Sequence, residues 1–503
     1  MTAGTVTPYR PGQQPGRGGF GQLLHAELTK FRTVRGWVVA TVVAALLIVV
    51  FALLAGISSV QHDQPSVPVG PGGEPVTDGF YFVHRPLAGD GSVTVSVSAL
   101  EDGIASGPGR FRPGTVPWAK AGLIIKDGTR QGSAYAAIMV TSGHGVRMQD
   151  NYVHDAAGLP GPVSAASPRW LRLVRSGDTV TGYDSADGTH WTAVGTAHLA
   201  GLGSTVQGGL FVAAPDSVRG LGTAPSTATA VFGDLRARGR WPGGRWTGDR
   251  VGSASENMPG SVTEADGRFT VTGTGDIAPA VRGSLGGAGV VADVLFGTFP
   301  ALIIVIVVGT LFVTAEHRHG LIRTTLTATP GRTRVLAAKA VVLGTASFLA
   351  GLAGTVVAIP LGERLARANG VYLFPFSAAT QLRVEFGTAA LLAAASILAL
   401  AVGTIFRRGA AAVTAATAAI VLPYLLVQNP FLPAGVAGWL TRLTPAAAFG
   451  VQQTHVRYHQ VTSVYTPYNG YYPVSPWGGL GVLAGYAVLA LAVAAVLQRR
   501  RDA

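Results

Sequence analysis

Residues Glu316–Lys339, EHRHGLIRTTLTATPGRTRVLAAK, hold five Lys or Arg and a single acid, and Pro330–Gly331 breaks the stretch. On either side lies an apolar run of about twenty residues, the length a helix needs to cross the roughly 30 Å hydrocarbon layer of a bilayer. A basic, turn-broken segment between two such runs predicts a membrane protein. Its charge also predicts the side on which the segment lies.

Outward from this stretch, the sequence carries six apolar runs of spanning length, at 37–59, 294–315, 340–361, 386–406, 410–427 and 478–497. Helix is the expected conformation, because a segment in lipid must satisfy its backbone donors and acceptors internally. The bulk numbers agree. The 503 residues are 48% hydrophobic and 13% charged, against about 25% charged in soluble domains, and the mean hydropathy is +0.37. The first run does not read as a signal peptide, because about 35 residues precede it and no small-residue cleavage pattern follows. The absence of cysteine excludes disulfides, thiolate metal sites and cysteine nucleophiles.

Basic residues orient the spans. Arg10, Arg17, Lys30, Arg32 and Arg35 precede the first run. Five more lie in 316–339, Arg407 and Arg408 separate the fourth and fifth runs, and Arg499, Arg500 and Arg501 follow the sixth. The opposite loops hold Arg364, Arg367, Arg383, Arg442 and Arg457. The positive-inside bias therefore predicts cytoplasmic termini, a cytoplasmic loop 316–339 and an extracytoplasmic insert at 60–289. The net charge of +13 gives no reason to expect nucleic acid. Residues 61–285 carry 18 Lys or Arg against 19 Asp or Glu, so the excess flanks the apolar runs.

Within the insert, residues 76–237 alternate apolar and polar positions, as in GSVTVSVSAL and TATAVFGDLRARG, with Gly and Asp at the breaks. That pattern predicts an antiparallel β-sandwich. DGFYFVHRPLAGDGSVTVSV, WAKAGLIIKDG, YAAIMVTSGHGV, WLRLVRSGDTVTGYDSADGTHWTAVG and VQGGLFVAA resemble the concanavalin A-like (laminin-G-like) lectin/glucanase sandwich, a jelly roll. The strand that opens that family, similar to GRFTVTGTGDIAP, comes last here, at 267–279. A permuted order follows, with this strand paired beside Phe80–Val83 and both ends of the insert together. Related glucanases use an E-x-D-x-x-E carboxylate set. Glu264 and Asp266 match its first spacing, but Phe269 stands in the third place, so hydrolysis is not expected. Trp118, Trp170 and Trp191 either stack on sugar rings or fill the core.

Ahead of the first span, residues 21–36 read as an interfacial helix. Leu24, Leu28 and Phe31 form its apolar face, and Glu27, Lys30 and Arg32 form its polar side, ending at Arg35. Residues 1–20 read as a disordered tail, so GRGGFG at 16–21 is not a nucleotide loop. No G-x-x-x-x-G-K-[ST] motif occurs and the four lysines are Lys30, Lys120, Lys126 and Lys339, so no ATP site is expected in this chain. His317 and His319 lack an evident third ligand, and no metal or cofactor is expected.

LLHAELTKFRTVRGWVV, six spans and TAEHRHGLIRTTLTATPGRTRVLAAKA together resemble the permease subunit of an actinobacterial ABC type-2 exporter. The likeness covers the first 60 residues and 290–503, and the large insert departs from it. It implies a transport subunit rather than an enzyme. A separate cytoplasmic ATPase would carry ATP and Mg, and a second copy or similar permease would complete a dimer. Glu316, Arg318, Gly320, Arg323 and Thr324 would form the coupling contact. Arg318 and Arg323 could instead hold lipid phosphates, but the resemblance favours the ATPase contact, and it implies a bacterial plasma membrane. The implied cargo is hydrophobic or amphiphilic, and the insert would bind cargo or surface glycan. The alternative is a membrane-anchored glycan-binding or sensing protein without transport.

Overall fold

The computed structural model describes residues 19–58, 67–107, 109–219, 222–252, 260–285, 289–318 and 331–501. The chain forms two compact units. One comprises Met1–Val60, Val290–Thr454 and Thr466–Ala503, and the other comprises Gln61–Gly289 with His455–Tyr465.

The first unit is helical: α1 (Phe20–Thr33), α2 (Arg35–Ser58), the short α3 (Val291–Val294), α4 (Thr298–Arg318), α5 (Arg332–Ala368), α6 (Ala378–Phe406), α7 (Gly409–Val427), α8 (Ala434–Leu443) and α9 (Pro476–Arg501). Among the described residues six helical segments are long and apolar enough to cross a membrane, including α2, α3–α4 and α5. The segments containing α4, α5 and α6 are the more buried, whereas α2 and α9 expose most of their surface. Close approach sets the centre. A methyl group at Gly309 of α4 would lie 2.7 Å from the Ser396 carbonyl oxygen of α6, so only glycine lets these backbones meet.

The helices continue past the apolar runs into the basic stretch. α4 continues to Arg318 and α5 begins at Arg332. Glu316 therefore stands on the last turn of α4, and Lys339 lies two turns inside α5. Val335, Leu336 and Ala338 extend the buried face of α5 over this region and favour helix there.

Among the described residues the second unit contains eighteen strands. The first nine are β1 (Val76–Asp78), β2 (Phe80–Gly107), β3 (Arg110–Pro113), β4 (Lys120–Lys126), β5 (Tyr135–Thr141), β6 (Gly145–Asp150), β7 (His154–Ala157), β8 (Arg169–Ser176) and β9 (Thr179–Ser185). Then come β10 (Thr192–His198), β11 (Thr205–Ala213), β12 (Ser217–Arg219), β13 (Gly222–Ala224), β14 (Ser226–Arg240), β15 (Thr247–Val251), β16 (Ser261–Ala265), β17 (Arg268–Gly273) and β18 (Ile277–Pro279). All pairings are antiparallel.

Strand β2 runs through both layers. Its first part pairs with β11 and β15, and its later part pairs with β8 and β14. Gly89, at φ 70°, lies where it passes from one layer to the other, a conformation that costs glycine little. Layer one runs β15-β2-β11-β4-β5-β6-β7, and layer two runs β10-β9-β8-β2-β14-β17-β16. Tyr81 and Val83 from one end of β2 and Val93, Val95 and Val97 from the other enter one core between the layers. The period-two pattern of the sequence is thus the inward and outward alternation of a sandwich.

Two details depart from expectation. β17 pairs with β14 and β16, not with Phe80–Val83, whose free side is taken by β15. The ends of the insert meet through a different pair, with Val76 opposite Pro279 and Asp78 opposite Ile277. In layer one, Phe80, Phe82, Ile124, Tyr135 and Phe211 form a second cluster with Val76 and Ile277 on the side away from the main core.

Candidate functional site

The basic stretch contains one acid, Glu316, and so does α1, Glu27. The fold brings these two carboxylates to the same two lysines. Lys339 Nζ donates to Glu27 Oε2 at 2.7 Å and to Glu316 Oε1 at 2.7 Å. Lys30 Nζ donates to Glu27 Oε1 at 2.9 Å and to Glu316 Oε1 at 3.2 Å. Three helices, α1, α4 and α5, are joined by a charge-neutral cluster of four residues. Lys339 and Glu27 are 3% and 2% exposed, whereas Lys30 is 38% exposed. Glu316 Oε2 is buried and accepts no hydrogen bond among the described residues. Phe312 closes the cluster below, its ring 4.7 Å from Lys339 Nζ and edge-on to Phe31 at 5.9 Å.

Glu27 and Phe31, one turn apart, are the buried residues of α1, while Leu28 is 43% exposed. Glu27 can be buried because it has two ammonium partners, which offset the cost of removing its charge from water. Leu24 is half-buried beside this core. Arg32 and Arg35 are exposed. Burial works against the charge of Lys30, yet Glu27 and Glu316 together hold its ammonium group above the ordinary lysine value.

Of the expected coupling residues, Glu316 faces the cluster and Arg318 ends α4. Gly320, Arg323 and Thr324 lie outside the described residues, as does His319. His317 Nδ1 lies 3.0 Å from the Val313 carbonyl oxygen, and among the described residues no three potential metal ligands converge. The lone acid in each basic segment was the sequence signal for this cluster. Spacing did not show it, because Glu27 and Lys339 are 312 residues apart.

The remaining lysines occupy the sandwich. Lys126 Nζ, Tyr152 Oη and Gly132 N all donate to Asp78 Oδ2, at 2.8, 2.7 and 2.8 Å. Lys120 Nζ donates to Asp276 Oδ1 at 2.6 Å and to the Ile277 carbonyl at 2.8 Å. These pairs fasten β1 and the start of β18 onto layer one. Burial pushes Lys126 below the ordinary lysine value despite Asp78, and pushes the Tyr152 hydroxyl up.

The three singled-out tryptophans do not form one site. Trp118 is 5% exposed and stacks on His144 at 4.0 Å. Trp170 lies against Gly188, where a Cβ would come within 2.8 Å of its ring. Trp191 lies 3.8 Å beneath the Arg172 guanidinium. Glu264 is on exposed β16 and Asp266 in the turn to β17, while Phe269 is buried in the core.

No family model and no curated protein matches the chain. Among solved structures, a mutant of the GH43 protein BlXynB from Bacillus licheniformis is 18% identical with a TM-score of 0.20. The match covers 30% of this chain and 28% of that one, so the chain spans little more than a quarter of that protein. Scytalido-glutamic peptidase bound to a transition state analog inhibitor is 8% identical with a TM-score of 0.26, covering 39% of this chain and 98% of the peptidase. A functionally unknown protein from Saccharomyces cerevisiae is 15% identical, with coverages of 36% and 84% and a TM-score of 0.19. Similarity at this level extends to neither activity nor ligand.

Proposed function

We propose that the chain is a multi-pass permease subunit of an ABC exporter, driven by an ATPase on a separate chain that carries ATP and Mg. The observation that carries this reading is the Glu27–Lys30–Glu316–Lys339 cluster. A protein that tilts its spans needs a lever at their ends, and α1 is fastened by buried charge to the ends of two apolar helices. Ionisable groups buried in such a bundle are retained for function more often than for stability. In this reading α1 lies along the cytoplasmic interface, segment 319–331 meets the ATPase, and the sandwich, a concanavalin A-like jelly roll, stands outside. A second copy or a similar permease completes the pathway. The apolar helix faces suit a hydrophobic or amphiphilic cargo.

The test is purification of the tagged full chain from its native host in mild detergent. ATP hydrolysis should accompany it and should disappear with Arg318→Glu/Arg323→Glu, while yield in the membrane fraction stays unchanged. Unaltered hydrolysis coupled to transport in that double variant defeats the placement of the contact. Absence of any ATPase from the purified wild type defeats the reading itself.

A further inference from the structure

The face of α6 turned away from the bundle starts with one guanidinium and no acid. Ala379, Leu382, Arg383 and Phe386 recur at helical spacing and share that face, while Val384, Glu385 and Thr388 are buried on the other. With Thr380 and with Trp477 of α9, these four line a groove of about 700 Å³. Leu382, Phe386 and Trp477 are exposed, so its walls are open and apolar. Ala390 and Ala393 continue the same face with small, half-buried side chains.

The cation is anchored but not neutralised. Arg383 is half-buried, and one of its terminal amino groups donates to the Gln453 carbonyl oxygen at 2.5 Å, which holds the guanidinium in place. The rest of its head has neither a carboxylate partner nor a second hydrogen bond among the described residues. The acid nearest in sequence, Glu385, is buried and accepts from Gln381 Nε2 at 2.9 Å. Arg383 also stands in the second turn of a helix whose first turn holds no acid. A cation there is opposed by the helix dipole, and an anion held beside it relieves that conflict.

We propose that this groove binds an anionic phospholipid, with the phosphodiester on Arg383 and an acyl chain along Phe386, Ala390 and Ala393. The open side of the guanidinium takes phosphate oxygens in a forked pair of hydrogen bonds, and Thr380 offers a hydroxyl in the same groove. A zwitterionic lipid fits less well, because no carboxylate among the lining residues takes its ammonium group. A soluble phosphate would leave the exposed Leu382, Phe386 and Trp477 uncovered. A two-fold contact between copies through this face would set Arg383 near its own equivalent, with no acid in the groove to pair either. The site rests on the membrane-spanning reading of α6 and α9, whose starts lie in the extracytoplasmic leaflet in the proposed orientation, and not on transport. A chain that selects this lipid without recruiting an ATPase keeps the site and loses the exporter.

The experiment is tryptophan quenching in the full chain, reconstituted into mixed phosphatidylcholine and phosphatidylglycerol vesicles with bromine on the acyl chains of one lipid at a time. Subtracting the signal of Trp477→Phe isolates Trp477. Brominated phosphatidylglycerol should quench it in preference to brominated phosphatidylcholine, with an apparent affinity about fivefold higher, the contribution of one arginine near anionic lipid. Arg383→Gln should bring the two lipids to parity. Ala379→Glu leaves the contact of Arg383 with Gln453 in place and adds an exposed carboxylate one turn before Arg383. It should remove the preference with an unchanged melting curve. Equal quenching by the two lipids in the wild type, a preference that survives either substitution, or no quenching of Trp477 by either lipid overturns the proposal.

Discussion

The helical unit and the sandwich use the same scarce residue in opposite ways. The chain has four lysines, and each is ion-paired. In the sandwich every lysine has one carboxylate and no contact with solvent, as Lys126 with Asp78 and Lys120 with Asp276. In the helical unit two lysines share two carboxylates, and one lysine is open to water. A sealed pair fixes a single arrangement, because separating it strands a charge in a dry interior. A shared cluster with a wet edge lets a proton donor change partners at smaller cost. On the proposed function, the sealed pairs belong to a scaffold and the shared cluster to a joint.

The largest expected effect tests the sealed end of this comparison. Lys126→Met removes one of three donors from Asp78 and leaves the carboxylate buried, which should destabilise the sandwich by about 3–5 kcal/mol. Lys126→Met/Asp78→Leu should recover part of that loss, since Tyr152 keeps the Ser133 carbonyl at 3.1 Å while the buried Gly132 N–H loses its acceptor. Urea unfolding followed by tryptophan fluorescence reports it, because Trp118, Trp170 and Trp191 lie in this unit. Equal losses in the single and double variants would show that the ion pair is not what holds β1.

Next in size is the shared cluster. Lys339→Met leaves Glu27 and Glu316 with Lys30 alone, so the loss should be smaller, about 2 kcal/mol, below the 3–5 kcal/mol of a sealed pair. Thermal melting of the detergent-solubilised chain measures this, and coupled ATP hydrolysis should fall further than the melting shift accounts for. A loss as large as that of Lys126→Met would make the cluster another staple.

Much of the architecture was legible in the sequence, because spans and strands are written in local periodicity. Six apolar runs and the alternation in GSVTVSVSAL follow from burial alone. What escaped depends on contacts across long stretches of chain. The burial of Glu27 follows from its contact with Lys339, and no helical wheel of residues 21–36 contains Lys339. The partner of Phe80–Val83 escaped similarly. β15, at TGDRV, is short and mostly polar, whereas β17 carries the clearer alternation, so the weaker-looking strand holds the edge. Charge composition likewise does not reveal that α4 and α5 run on past the apolar core.

A smaller effect probes the segment 455–465, which belongs to the sandwich unit although it follows α8 in sequence. His459 Nε2 lies 2.8 Å from Asp155 Oδ2, and Arg147 and Gln149 also donate to that carboxylate. Burial opposes the Asp155 charge, but these partners hold its carboxyl below the ordinary value. Its contribution is therefore complete above the ordinary aspartate pKa of about 3.9 and is lost as pH falls through the lower folded value. Asp155→Asn should cost about 1–3 kcal/mol and raise amide exchange in 455–465 at neutral pH. In the wild type that rise should appear only in acid. Equal exchange in both proteins at neutral pH would detach this segment from Asp155.

The smallest effect is the sharpest test of the contrast. Lys30 is the wet member of the shared cluster, and ion pairs with such exposure contribute at most about 1 kcal/mol and weaken with salt. Lys30→Ala should therefore lower the melting temperature slightly, and by less at high ionic strength, because Lys339 still holds both carboxylates at 2.7 Å. If it instead costs as much as Lys339→Met and the cost ignores salt, the cluster is sealed in solution. α1 would then be a fixed part of the bundle, with no freedom to act as a joint.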